Sequence, residues 1–137
     1  MIKEEISPEL FRVIDANLNR LKEGIRVIED IMRYRDNNKE LSQKLKSLRH
    51  LAVVEEYTQL LQYRDSINDV LRPTTQSEMK RDSIVGIMAA NFKRAEESSR
   101  VLEELFKLYN NKYSENFKHI RYELYDLEKV IVLNENK

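Results

Sequence analysis

An all-α fold is predicted by three observations on this 137-residue chain. It has only two glycines and two prolines, its apolar residues recur every three to four positions over long stretches, and one polar signature occurs twice at helical spacing. Such scarcity of turn formers leaves little material for many short strands. The length suits one domain, residues 1–137, with a continuous core.

Helix one is predicted to begin at Ser7-Pro8, with Ser as the N-cap and Pro at the first helical position. Its stripe runs Leu10, Ile14, Leu18, Leu21, Ile25, Ile28 and Met32, and fades at Asp36-Asn37-Asn38. At about 1.5 Å rise per residue it would be roughly 40 Å long, which suits an elongated bundle of antiparallel neighbours. Helix two carries Leu41, Leu45, Leu48, Leu51 and Ala52, is interrupted in its stripe by Glu55, resumes at Leu60 and Leu61, and ends near Tyr63.

Residues 64–76 lack helical periodicity and include Asn68 and Arg72-Pro73-Thr74-Thr75, so they read as the one long loop. Loops of this length are often functional. Thr75 with Glu78 fits a capping box for helix three, whose stripe is Ile84, Ile87, Met88, Phe92, Ala95, Val101, Leu102, Leu105 and Leu108. Asn110-Asn111 ends it, and helix four carries Phe117, Ile120, Leu124, Leu127 and Ile131. Tyr113, Tyr122 and Tyr125 read as packing at the core edge.

Twenty-four basic and 24 acidic residues cancel, which gives no general field toward nucleic acid or an anionic membrane. Any anion site must therefore be a local cluster of Arg and Lys. Cysteine is absent, excluding disulfides, thiolate metal sites and Cys nucleophiles, and the two histidines, His50 and His119, are too few for a His-rich site. The stretches MIKEEISPEL and VIVLNENK are broken by charge, so neither a signal peptide nor a membrane span is expected, and the chain is expected to be soluble and cytoplasmic.

Residues 15–34 align with 89–108 at an offset of 74, with Ala16/Ala90, Asn17/Asn91, Arg20/Arg94, Glu23/Glu97, Arg26/Arg100, Val27/Val101 and Glu29/Glu103 identical. Most of these are polar, so shared amphipathicity does not explain the match. At an offset of 72, Ser42/Ser114, Lys46/Lys118 and Arg49/Arg121 also coincide. A helical hairpin used twice, over about 8–63 and 77–134 with the loop 64–76 between, predicts a four-helix bundle with pseudo-two-fold symmetry.

On a helical wheel Asn17, Arg20 and Glu23 form a polar ridge beside the apolar stripe, and Asn91, Arg94 and Glu97 repeat it. Mid-helix Asn is unfavourable and at a core edge its amide needs partners, which marks the ridge as a candidate site. Arg20–Glu23 and Arg26–Glu29 also fit surface ion pairs at i, i+3 spacing.

The blocks DANLNRLKEGIRVIED and AANFKRAEESSRVLEE, with LKSLRH, LLQYRDSINDV and HIRYELYDLEK, resemble the monofunctional hydroxymethylpyrimidine phosphate kinases of thiamine biosynthesis. This helical family is often fused ahead of thiamine-phosphate synthase, and the resemblance runs from about Phe11 to Lys129. It implies an ATP-dependent kinase that makes the pyrimidine diphosphate, with thiamine-phosphate synthase as a partner, on a separate chain or in a longer fusion. In Arg64-Asp65-Ser66-Ile67-Asn68-Asp69-Val70-Leu71 the chain keeps both aspartates of the family's central turn and lacks its two glycines.

The implied chemistry is phosphoryl transfer, mostly positioning and charge neutralisation, which calls for Arg and Lys around phosphates and carboxylates around magnesium. No G-x-x-x-x-G-K-[ST] loop is present, so side chains must supply the anion contacts. Arg20, Arg94, Arg49 and Arg121 are the expected catalytic cations. Asn17, Asn91, Glu23, Glu97, Lys46, Lys118 and Arg64 are expected to bind substrate, and Asp65 and Asp69 to hold magnesium. Because the Arg64–Asp69 loop occurs once, one asymmetric site is expected.

Two other functions fit the pattern. An all-α nucleotide pyrophosphohydrolase would use Glu96-Glu97 and Glu103-Glu104 on magnesium, and a non-catalytic module would dock on or regulate thiamine-phosphate synthase.

Overall fold

The structure, a computed structural model, describes residues 5–75 and 81–135. Among these it contains five helices and no strand: α1 (Pro8–Asp30), α2 (Lys39–Leu51), α3 (Tyr57–Tyr63), α4 (Ile84–Phe106) and α5 (Asn111–Glu135). Ser7 caps α1, its hydroxyl accepting from the Leu10 amide, and Pro8 fills the first turn, as the sequence predicts. Beyond Asp30 the helix widens into a π-helical turn, Ile31–Arg35, and Asn37 takes a φ of 50° before Asn38 caps α2. Asn110 caps α5 in the same way, accepting from the Tyr113 amide.

The single second helix expected from the sequence is instead two. Helix α2 stops at Leu51, and α5 holds the break open: Asn116 Nδ2 donates to the Leu51 carbonyl at 2.8 Å, while the Glu55 amide donates to the Tyr113 hydroxyl at 2.9 Å. These contacts satisfy backbone groups that a continuous helix would have paired internally. The expected Thr75/Glu78 capping box lies in part outside the described residues; α4 starts at Ile84, with the Ser83 hydroxyl accepting from the Gly86 amide.

Helix α4 packs against both α1 and α5, α1 in turn packs on α2 and α3, and α2 reaches α5. The core between them joins Ile14, Leu21, Ile25 and Ile28 of α1 to Met88, Phe92, Leu102 and Phe106 of α4 and Phe117, Ile120 and Leu124 of α5. Phe11 rather than Leu10 is the inward residue at the start of α1, and its ring stacks on Tyr63 of α3 at 5.7 Å. Leu51, Leu61, Ile84 and Leu108, placed on the apolar stripes by their spacing, are exposed: Leu51 and Ile84 are terminal helix residues, Leu61 lies in the short α3, and Leu108 lies past the end of α4.

Gly24 marks the closest approach of α1 and α4. A Cβ there would lie 2.9 Å from the Asn91 carbonyl oxygen and 3.3 Å from Ala95 Cβ. Asn17, two turns earlier, shares a cleft with Ser98 and Val101, so the two helices run antiparallel.

Each hairpin is tied by one buried ion pair. Arg49 donates to Glu29 through Nε at 2.7 Å and Nη2 at 3.2 Å; Arg121 donates to Glu103 through Nη2 at 2.7 Å and Nε at 3.2 Å. Glu29 and Glu103 are 1% and 4% exposed; the hydrogen bond to Glu29 raises the Arg49 pKa, and hydrogen bonds to Tyr125 and then Glu103 raise that of Arg121. The expected Arg26–Glu29 surface pair is therefore replaced: Arg26 reaches Asp30 at 3.2 Å, and Glu29 turns inward to α2. Arg121→Met, which leaves the Glu103 carboxylate buried beside only the half-exposed Arg100, is expected to lower unfolding free energy by about 3 kcal/mol in urea titration. Arg20→Ala is expected to leave the unfolding midpoint near that of the natural chain.

Candidate functional site

Two adjoining clefts on α1 share Arg20. The smaller, about 260 Å³, is lined by Asn17, Arg20, Arg94, Glu97, Ser98 and Val101. The antiparallel crossing of α1 and α4 produces it, since the Arg of each repeated block faces the other across the contact. Both arginines are exposed, and among the described residues neither makes an ion pair or a hydrogen bond. Asn17 is buried, and its Nδ2 donates back to the Val13 carbonyl at 2.9 Å; Asn91 does the same to Ile87 at 2.8 Å. These bonds answer the amide requirement that the sequence raised for mid-helix Asn.

The larger cleft, about 580 Å³, lies under the loop after α3 and is lined by Arg12, Asp15, Asn19, Arg20, Arg64 and Asp69, among others. The loop is pinned to α1 by a two-pronged ion pair: Arg64 Nε donates to Asp15 Oδ2 at 2.7 Å and Nη2 to Oδ1 at 2.8 Å. This pairing raises the Arg64 pKa. Arg12 adds a bond to the Asp65 carbonyl at 3.3 Å. Within the loop the Asp65 carboxylate accepts from the Asn68 amide at 3.1 Å and from its Nδ2 at 2.7 Å, which lowers the Asp65 pKa, and Asp69 accepts from the Leu71 amide at 3.0 Å. Asp65 and Asp69 thus shape the loop as Asx turns do.

The structure brings together Asn17, Arg20, Arg94 and Glu97 in one cleft and Arg20, Arg64, Asp65 and Asp69 in the next. It does not bring in the other candidates. Arg49 and Arg121, expected as catalytic cations, are committed to Glu29 and Glu103 inside the hairpins. Asn91 lies against Gly24, Lys46 lines a separate cleft, and Glu23 and Lys118 are exposed on helix faces that line none of these clefts. Among the described residues no three Asp, Glu, His or Cys side chains converge as metal ligands would. Asp65 and Asp69, expected to hold magnesium, line one cleft, where each accepts from a loop amide, whereas the glutamates of the pyrophosphohydrolase reading disperse. Glu103 pairs with Arg121, and Glu104 with Arg100 and Lys107. Tyr122 and Tyr125 flank the Arg121 guanidinium, which lies 5.0 Å and 5.8 Å from their ring centroids, and Tyr113 meets Phe106 edge-on at 5.1 Å.

Arg12 and Asp15 escaped the sequence reading. Asp15 carried a signal nonetheless: a carboxylate between Ile14 and Leu18, beside a buried stripe, requires a cation, and its counterpart at the 74-residue offset is Ala89.

A further buried acid outside these clefts is Glu96, 3% exposed, on α4. Burial, then hydrogen bonding and repulsion from Glu128 of α5, push its pKa up to about 8, against the nearby Lys93 ammonium at 3.5 Å. One of its oxygens, Oε2, is buried without a partner.

Residues 12–130 match the ThiD2 family. The chain is similar to the protein named thiamine-phosphate synthase in Nostoc punctiforme, 39% identical over 127 residues that cover 92% of this chain and 36% of the relative. The protein of that name in Synechocystis is 37% identical over 91% of this chain and 37% of its own length, and that of Prochlorococcus marinus strain AS9601 is 33% identical over 92% and 36%. The chain thus spans about a third of the length of the curated relatives it matches. No solved structure matches it at a significant level. These relatives overturn the expectation of an ATP-dependent pyrimidine phosphate kinase, because the name they carry is that of a different enzyme, thiamine-phosphate synthase.

Glu96 makes stability depend on pH in an unusual direction. A carboxyl with a folded pKa near 8 and an unfolded value of 4.5 contributes fully only below the lower value. Its contribution falls as pH rises from 4.5 toward 8, because the unfolded chain ionises it more readily. Thermal melts of Glu96→Gln should show a gain over the natural chain at about pH 8 that shrinks toward about pH 5. An equal gain at both pH values would remove the role assigned to its ionisation.

Proposed function

The chain belongs to the ThiD2 family, and on that premise we propose that it is a helical phosphate-binding module of thiamine biosynthesis, which works with a thiamine-phosphate synthase and holds a pyrimidine phosphate between Arg20 and Arg94. In this reading the α1–α2 and α4–α5 hairpins are copies of one unit, related by an approximate two-fold axis that passes between the two arginines.

One observation carries the reading. Two guanidiniums line one cleft and neither forms an ion pair among the described residues, although Glu97 lines the same cleft and the chain holds 24 carboxylates. Arginines 49, 64 and 121, by contrast, are each matched to a carboxylate. Like charges held together destabilise the free protein, and a phosphate group relieves that repulsion while accepting charge-assisted, two-pronged hydrogen bonds from each guanidinium. Glu97 and the Ser98 hydroxyl line the same cleft and supply an acceptor for an amino group and a hydroxyl for a ring nitrogen, the polar features of an aminopyrimidine. Arg20 opens the smaller cleft into the 580 Å³ space under the loop, which gives the organic part of the ligand room.

The partnership rests on the relatives, in which a segment like this chain forms about a third of a protein named thiamine-phosphate synthase. The contact would be made between chains, or within a longer one.

Calorimetric titration with hydroxymethylpyrimidine phosphate tests the ligand. Arg20→Ala and Arg94→Ala are each expected to weaken binding at least about tenfold, a loss of about 1.4 kcal/mol, with the melting temperature nearly unchanged. Undiminished binding by both variants would overturn the assignment of the cleft, and parallel titrations with ATP and magnesium report whether either enters it. The partnership is tested by adding the chain to a thiamine-phosphate synthase from the same cell. A stable complex in sedimentation, or a changed KM for the pyrimidine substrate, is expected; no complex and unchanged kinetics at saturating chain would sink it.

A further inference from the structure

The turn from α1 to α2 differs from the turn from α4 to α5 in a way that opens a cleft. The alignment offset drops from 74 to 72 between Tyr34 and Ser42, so the first turn carries two more residues. The surplus is absorbed by the π-helical turn Ile31–Arg35, where an extra residue widens the helix, and by Asn37, whose φ of 50° turns the chain into the cap of α2. The space that results, about 320 Å³, is lined by Glu29, Arg33, Asn37, Lys39, Ser42 and Lys46, among others.

The charges in this cleft do not balance. Glu29 is cancelled by Arg49 at 2.7 Å. Arg33, Lys39 and Lys46 make no ion pair among the described residues, and the Arg33 guanidinium lies over the Tyr34 ring, 5.0 Å from its centroid. The second turn has no such excess. There Lys107 stands at the position of Arg33 and is tied to Glu104 at 2.7 Å, Asn111 stands at that of Lys39, and Lys118, at that of Lys46, is accompanied by Glu115 at that of Gln43. Two added residues and three uncompensated cations therefore coincide in one turn of the chain.

We infer that this elbow is a second anion site, which takes a small phosphate-bearing molecule and is separate from the cleft of Arg20 and Arg94. The two clefts share no residue. Three like charges around one concavity repel in the free protein, and a multivalent phosphate cancels them at short range where a monovalent ion does not. The side-chain amides of Asn37 and Gln43 provide neutral donors beside the cations. The Ser42 hydroxyl is fixed by donation to the Asn38 carbonyl at 2.7 Å, which keeps the α2 end of the cleft rigid. A volume of 320 Å³ is at the small end for ligand sites, enough for a diphosphate or a compact phosphate ester.

Inorganic pyrophosphate titrated into the full chain and followed by amide NMR provides the test, at constant ionic strength. Saturable shifts are expected at Asn37, Ser42 and Gln43. The Lys39→Ala/Lys46→Ala double variant should weaken them at least tenfold, while Arg94→Ala should leave them unchanged. Because all three cations are exposed, the variants should fold, and Arg33→Gln alone should give an intermediate loss. Absence of shifts at this turn at millimolar pyrophosphate overturns the inference, as does persistence of the shifts in the double variant. Since Arg94→Ala reports on the other cleft alone, failure of one site is read separately from failure of the other.

Discussion

The close crossing of α1 and α4 is the constraint on which the rest of this protein depends. Helix backbones approach this closely only where side chains are small, and Gly24 against Asn91 and Ala95 meets that condition. With the crossing point in place, the antiparallel run puts Asn17 beside Ser98 and turns Arg20 toward Arg94. A methyl group at residue 24 would sit 2.9 Å from a carbonyl oxygen, so the helices would separate and the arginine cleft would widen with them. The site is therefore a consequence of helix packing and is held by rigid elements rather than by a loop.

Charge on the inner faces of the helices falls into two groups. Arg49, Arg64 and Arg121 each meet a largely buried carboxylate, and each joins one part of the chain to another: α2 to α1, the long loop to α1, and α5 to α4. Such pairs contribute little net stability but make any other arrangement costly, because separating them strands a buried charge. Arg20 and Arg94 have no such partner among the described residues. Partnered arginines hold the fold, and unpartnered ones in a cleft are available to a ligand.

The repeated signature does not produce a symmetric surface. Identical residues make matching bonds in both halves, as with Asn17 and Asn91 or the two Glu–Arg pairs. Differences between the halves then decide where space opens. Asp15, where the second half has Ala89, captures Arg64 and folds the loop over only one side of the arginine cleft. The longer first turn opens the elbow on the same half. The loop-covered cleft and the elbow thus both lie on the first hairpin.

Helical periodicity, the Ser7-Pro8 cap, the loop after Tyr63 and the repeated polar residues were all legible in local spacing, since they depend on neighbours within a turn or two. The ridge of Asn, Arg and Glu was visible for the same reason, although spacing could not tell a structural arginine from a free one. That distinction needs the far partner: Glu29 finds Arg49 20 residues away, and Asp15 finds Arg64 49 residues away. The break between α2 and α3 was hidden likewise, because Asn116 and Tyr113 of α5 satisfy the backbone there. The sequence by itself determined the helical class, most of the buried faces and the repeated residues, all properties of a few adjacent turns. Only the tertiary structure decided which charges are neutralised and which face a cleft, because that depends on contacts between segments that spacing does not encode.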